Sequence, residues 1–212
     1  MILTDTERAA AKAIIANIAD LEAARQFLIH KMDKWLLKGM LDVLEAKART
    51  FGWQHAIKPD DEETYFIMPK EWAATAVRRR KCEEDAWFAL GWHEGEGDGD
   101  GESWVACATG RAPSGTWVEL RFARDVVTKT VWRQVLAVHP MIVEQLRGLG
   151  FIVEPRDGWI DYPVTLDPDA LARAFEANDF SEASAPLELA LDMAAKAKPL
   201  LDPLVAAIRA RI

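Results

Sequence analysis

The densest chemistry in this 212-residue chain is the run Glu94-Gly95-Glu96-Gly97-Asp98-Gly99-Asp100-Gly101-Glu102, with a carboxylate at nearly every second position. Oxygen donors at that density suit a hard divalent cation such as Ca²⁺ or Mg²⁺. Residues 96–101 copy the opening of an EF-hand loop. Cys107, however, stands at the twelfth position, where that loop needs a bidentate Glu, and strand patterns flank the run where helices belong. The run therefore reads first as a solvated hairpin connection whose charge opposes edge-to-edge association. No metal or other cofactor is assigned. Ca²⁺ or Mg²⁺ on Glu94, Glu96, Asp98, Asp100 and Glu102 is the secondary expectation, and contact with a basic partner is a third.

The tryptophans are the second lead. There are nine, against two Tyr and eight Phe, and Trp87, Trp92, Trp104 and Trp117 fall on segments with strand character. An indole combines a large apolar face with one N–H donor, which serves a binding groove as well as a core. These four are the candidate ligand- or partner-binding residues, and filling a core beneath flanking helices is the competing use. Trp87 and Trp92 are an odd number of residues apart, so a regular strand points them to opposite faces.

Other signatures are missing. His30, His55, His93 and His139 occur in no metal-ligand spacing. Cys82 and Cys107 are too few for a disulfide scaffold and read as structural thiols. There is no P-loop, no G-x-G-x-x-G between strand and helix, and no G-x-S-x-G elbow. Arg78-Arg79-Arg80-Lys81 could meet phosphates, but Glu83-Glu84-Asp85 follows closely and the net charge is −8, which argues against direct nucleic-acid binding. The eight acids between residues 82 and 110, with no Lys or Arg among them, equal that whole net charge. The rest of the chain is balanced, so the charge is local.

With 50% apolar and 28% charged residues the composition is that of a globular protein. No stretch is long and apolar enough for a membrane span, the opening residues lack a secretory pattern, and a cytoplasmic location is expected.

The elements that must position these residues are legible in outline. Thr4 with Glu7 is a capping box. Ile14, Ile18, Leu21, Arg25, Leu28 and Met32 then recur at steps of four and three, one face of a helix. Asp33 re-caps a second helix carrying Leu36, Leu37, Met40, Leu41, Leu44 and Ala48, and Gly52 stops it. One helix over 4–51 would be about 70 Å long, against a radius of gyration of about 17 Å for a compact chain of this size. A break near 29–33 is expected, with a projecting arm that pairs in a dimer as the alternative. Strands are expected at 64–68, 85–92, 103–108 and 116–122, joined as an antiparallel meander, with turn chemistry at 111–115. Helix returns over 126–148 with a boundary at His139-Pro140. A short strand at 151–154 and a segment at 159–166 follow, and Asp167-Pro168 opens a helix to about Asn178. The last helical stretch, 184–212, contains Pro199 and Pro203, which should bend or split it. The class is α+β in one domain: a helical arm or hairpin over 1–52, an antiparallel sheet over 53–123, and a mainly helical remainder over 124–212.

This order of features runs from a helical segment ending in Phe51-Gly52-Trp53 through Tyr65-Phe66-Ile67, Trp87–Trp92, a charged loop and Trp104–Ala108. It continues with Trp132, Trp159-Ile160-Asp161-Tyr162 and a long terminal helix. It resembles the C-terminal, non-nuclease half of some bacterial PD-(D/E)XK superfamily proteins. Catalysis in that superfamily uses an Asp and a following (Asp/Glu)-x-Lys on adjoining strands to hold a divalent metal and orient water. Here Pro59-Asp60 is followed by no such triplet. The nearest is Glu119-Leu120-Arg121, and Arg cannot be deprotonated as the usual Lys can; Glu45-Ala46-Lys47 lies on a helix ahead of Asp60. The resemblance thus implies an accessory region without its nuclease core, hence a recognition or regulatory module. For a degenerate nuclease it implies Asp60, Asp61 and Glu119 as the catalytic carboxylates.

The favoured expectation is a non-catalytic binding module that recognises a protein partner or ligand through the Trp-rich sheet and the acidic hairpin, in a nuclease-associated or phage-defence setting. One alternative is a metal-dependent hydrolase on Asp60, Asp61 and Glu119. Another is an anti-defence or antitoxin protein whose acidic loop mimics nucleic-acid phosphates. Helices 4–51 or 187–212 are the expected contacts with a partner protein or a second copy.

Overall fold

The computed structural model describes residues 3–58, 64–73, 86–92, 103–112, 114–122, 128–155 and 159–210. Asp60, Asp61, Arg78–Lys81, Cys82, His93 and the acidic run 94–102 lie outside the described residues, and the expectations placed on them go no further.

The capping box forms as its spacing requires. The Thr4 hydroxyl accepts from the Glu7 N–H at 3.3 Å, and the Glu7 carboxylate accepts from the Thr4 N–H at 2.6 Å and its hydroxyl at 2.8 Å. It opens α1 (Asp5–Ala16), which a joint at Asn17 (φ −118°, ψ 15°) separates from α2 (Ile18–Phe27). The Thr4 backbone N–H, and then its hydroxyl, hold the Glu7 carboxyl below the ordinary glutamate range. A folded pKa below the unfolded one gives a cap that is fully present above the ordinary range and lost as pH falls through the lowered value. The Thr4 amide resonance is therefore expected to titrate below that range; a midpoint at the ordinary glutamate value would refute the cap.

The expected break at 29–33 is corrected. The chain stays helical through a π-helical turn, Leu28–Met32, into α3 (Asp33–Phe51). Asp33 does not cap its own helix. Its carboxylate accepts from the Ser103 hydroxyl at 2.6 Å and the Val105 N–H at 3.0 Å, so it serves another helix's N-terminus. Leu36, Met40, Leu44 and Ala48, each four residues after the last, are the buried apolar row of α3. Gly52 ends the helix in the left-handed region (φ 67°), a conformation open to Gly at little cost. By contrast no residue of α1 or α2 is buried. α1 and α2 form an arm that reaches the body at Phe27, whose ring lies 6.0 Å from that of Phe175, and the π-helical turn and α3 belong to the body.

The sheet has six antiparallel strands: β1 (Gln54–Lys58), β2 (Thr64–Met68), β3 (Ala86–Trp92), β4 (Thr116–Phe122), β5 (Ile152–Glu154) and β6 (Trp159–Val164), in the order β1-β2-β3-β4-β6-β5. Two expectations change here. The sheet is not confined to 53–123, because β5 and β6 join it beyond two intervening helices. Residues 103–108 are not a strand: Trp104–Ala108 is a short helix, α4, with Ser103 as N-cap. The Ser103 hydroxyl accepts from the Val105 and Ala106 N–H groups, and Trp104, Cys107 and Ala108 are buried at steps of three and one, a helical spacing.

α5 (Lys129–Val138) and α6 (Pro140–Gly148) meet at His139-Pro140 as expected, and α7 (Pro168–Ala177) starts from the Asp167 cap and ends at Asn178. The last helix, α8 (Ala185–Arg209), is one element of 25 residues with Pro199 and Pro203 inside it. The two prolines do not split it. Spaced four apart, both lie on its exposed side, where water can hydrate the carbonyls that lose an N–H partner. The opposite side of α8 buries Leu187, Leu191, Leu201, Leu204 and Ile208 with small residues between them. Its apolar stripe is thus used inside the chain, which leaves the exposed arm as the less satisfied of the two helices expected to meet a partner.

Helices cover one face of the sheet. Ile67, Phe88, Leu90, Val118, Leu120, Val153, Ile160 and Val164 alternate onto that face and form one core with α3, α4, α5, α6 and α8. The fold is α+β in two layers.

Candidate functional site

The other face of the sheet carries the unusual chemistry. Alternation puts Trp87, Ala89 and Gly91 of β3, Trp117, Glu119 and Arg121 of β4, and Trp159, Asp161 and Pro163 of β6 on it together. In register, Trp87 faces Arg121, Ala89 faces Glu119, Gly91 faces Trp117, and Glu119 faces Asp161. Two acidic residues sit opposite one another, and both are buried, at 6% and 5% exposure.

A cation completes the group. Arg121 donates from Nε to Glu119 Oε2 at 2.7 Å, and its Nη2 lies 2.6 Å from the same oxygen. Gly91 makes room for this pair: a Cβ there would lie 2.9 Å from Glu119 Oε1 and 3.1 Å from Arg121 Nη2. The guanidinium is more exposed than the carboxylate it holds, so it reaches from a buried anion toward solvent. Trp117 packs over Gly115, and Trp159 is 49% exposed, as is Ile152 on the edge strand β5. At the β2–β3 end the same face closes into a small apolar cluster of Phe66, Met68, Trp87 and Ala89.

The four candidate tryptophans do not form one surface. Trp87 is 7% exposed within that cluster, with its ring 6.3 Å from Phe66. Trp104 is also 7% exposed, but it lies in the main core on the helical side of the sheet. By register Trp87 stands opposite Arg121 and Trp117 opposite Gly91, so these two flank the charged group. Trp92 is placed by its backbone opposite Thr116, and its side chain lies outside the described residues. Glu119, selected as a carboxylate, is at the centre. Arg121 matches the superfamily's Lys poorly, yet it is the cation that holds Glu119. Asp161 and Trp159 were missed as site residues because β6 follows two helices, and nothing local to Trp159–Val164 says that it pairs with β4.

Chemically the group can present a guanidinium and an aromatic edge from a fixed carboxylate base, which is the equipment of recognition. Among the described residues no group of three or more His, Cys, Asp or Glu could hold a metal ion, and no helix among them is long and apolar enough to cross a membrane. No family model, curated protein or solved structure matches the chain.

Proposed function

We propose that this chain is a non-catalytic binding module that recognises a protein partner through the face of its sheet opposite the helices, with Trp117, Trp159 and Arg121 as the contacting residues. The observation that supports it is the group itself: an Arg held by a buried Glu in a slot kept open by Gly91, on the face that also carries the half-exposed Trp159, two residues before Asp161. Aromatic residues and Arg dominate the binding energy of protein interfaces, and a preset Arg loses little freedom on binding. A displayed random-peptide library panned against the full chain is expected to enrich peptides whose binding falls about tenfold or more on Trp159→Ala or Arg121→Ala, the cost typical of a central contact. Enriched peptides that bind both variants as well as the parent would sink the proposal.

The second reading, a metal-dependent hydrolase, draws on Glu119 standing opposite Asp161. On that reading Mg²⁺ or Mn²⁺ supports cleavage of DNA or RNA, and Glu119→Gln abolishes it. The Arg121 guanidinium on Glu119 occupies the place a metal would take, which is why recognition is preferred.

A further inference from the structure

We propose that the N-terminal arm pairs antiparallel with the arm of a second copy of this chain, about a two-fold axis at residue 16. The arm, α1 with α2, is about 34 Å long at about 1.5 Å per residue and buries nothing in its own chain. Ile14, Ile15, Ile18 and Leu21 are 51%, 72%, 50% and 48% exposed. The arm meets the body at its base, where the Phe27 ring lies 6.0 Å from that of Phe175 on α7, and the four exposed apolar residues, two on each side of the Asn17 joint, call for a partner helix.

The sequence of the arm says which partner. Ala11, Ile14, Ile18, Leu21, Arg25 and Leu28 recur at steps of three and four, the seam of a coiled coil, with Glu7 one step before Ala11. Two charges therefore lie on an apolar seam. In a parallel, in-register pair Glu7 meets Glu7 and Arg25 meets Arg25, both repulsive. In the antiparallel register where residue i faces residue 32 − i, Glu7 of one copy meets Arg25 of the other at each end. Ile14 then meets Ile18, and Ala11 meets Leu21. The flanking positions agree: Arg8 comes beside Glu22 at one edge, and Ile15, the most exposed of the four, comes beside Ile15 at the axis. Sliding by one heptad in either direction brings Glu7 against Ile18 or Arg25 against Ile14. One register satisfies every charge on the seam, and a two-fold axis satisfies each twice.

The ends fit as well. In this register Thr4 faces Leu28, where the π-helical turn carries the chain into the body, so the overlap uses the whole arm without requiring it to enter the other copy's body. Within one copy, Arg25 has only a long contact to Glu22 at 4.0 Å, and both are exposed, so it is free to re-pair. Asn17, the joint, lies off the seam and donates from Nδ2 to the Ala13 carbonyl at 2.8 Å.

Sedimentation of the full chain at micromolar concentration is expected to give the mass of two chains, and Ile14→Glu with Ile18→Glu the mass of one, with unchanged near-ultraviolet circular dichroism. Arg25→Glu alone and Glu7→Arg alone each turn a seam pair into like charges, and each is expected to dissociate about tenfold or more readily than the parent. Mixed together, the two variants restore both opposite pairs and should recover the dimer as a heterodimer. A monomeric parent, a dimer indifferent to Ile14→Glu and Ile18→Glu, or a mixture that associates no better than its components would each overturn the proposal. None of these outcomes touches the sheet face.

Discussion

Trp72→Ala is expected to lower the stability of the chain by about 3–5 kcal/mol, the range for removing a large buried aromatic side chain. Trp72 is 1% exposed and closes the 3₁₀ turn Lys70–Trp72 that follows β2. Its ring lies 5.5 Å from Phe88, which in turn stacks on Trp53 at 5.7 Å, so it is the outer member of an aromatic row across the sheet. Its Nε1–H donates to Asp202 on α8 at 2.8 Å. Around it Arg209 donates to the Glu71 and Ala73 carbonyls, and Lys198 bridges Glu71 and Asp202. This turn is one of the places where α8 is fastened to the sheet, beside its packing on β4 and β6, so the cavity opens at a joint between layers. With a slope of about 2–3 kcal/mol per molar urea, the midpoint should fall by about 1–2 M. Trp72→Phe keeps much of the ring and loses the hydrogen bond, and should cost about 1–2 kcal/mol. Equal losses for the two variants would mean that packing is not what the indole supplies there.

Features set by adjacent residues were legible in the sequence. The Thr4–Glu7 box, the Gly52 stop, the His139-Pro140 boundary and the Asp167-Pro168 start each depend on a few consecutive residues, and each is found. The failures lie where distant residues decide. Ser103–Ala108 is too short for its pattern to separate a strand from one helical turn, and the deciding group, Asp33, is seventy residues away in sequence. The prolines of α8 were legible in principle, because Leu187, Leu191, Leu201, Leu204 and Ile208 define a buried side that excludes positions 199 and 203. The candidate site was half legible. Glu119 and Arg121 alternate on one strand and so share a face, but Asp161 reaches them only through a pairing across α5 and α6. The tryptophan count points to a place and overstates it: Trp87 and Trp104 are packing, and among the tryptophans whose side chains are described the exposed one is Trp159.

Asp33→Ala should be the most damaging polar substitution in the body, at about 2–4 kcal/mol, because it strips the acceptor from a buried hydroxyl and a helix N-terminus together. Asp33 is 8% exposed and Ser103 4%, so water cannot easily take over. The residue stands directly after the π-helical turn and is the first of α3, so its two hydrogen bonds also fix where the arm leaves the body. Ser103→Ala removes the N-cap of α4 and leaves the carboxylate with the Val105 N–H alone, so it should be costly as well. Because both substitutions break the same bond, the double variant should be less destabilised than the two losses added, by about 1–3 kcal/mol. Additive losses in a urea double-mutant cycle would show that Asp33 and Ser103 act separately. Amide exchange in residues 28–32 should quicken in Asp33→Ala and stay unchanged in Trp72→Ala, since only the first substitution loosens the root of the arm.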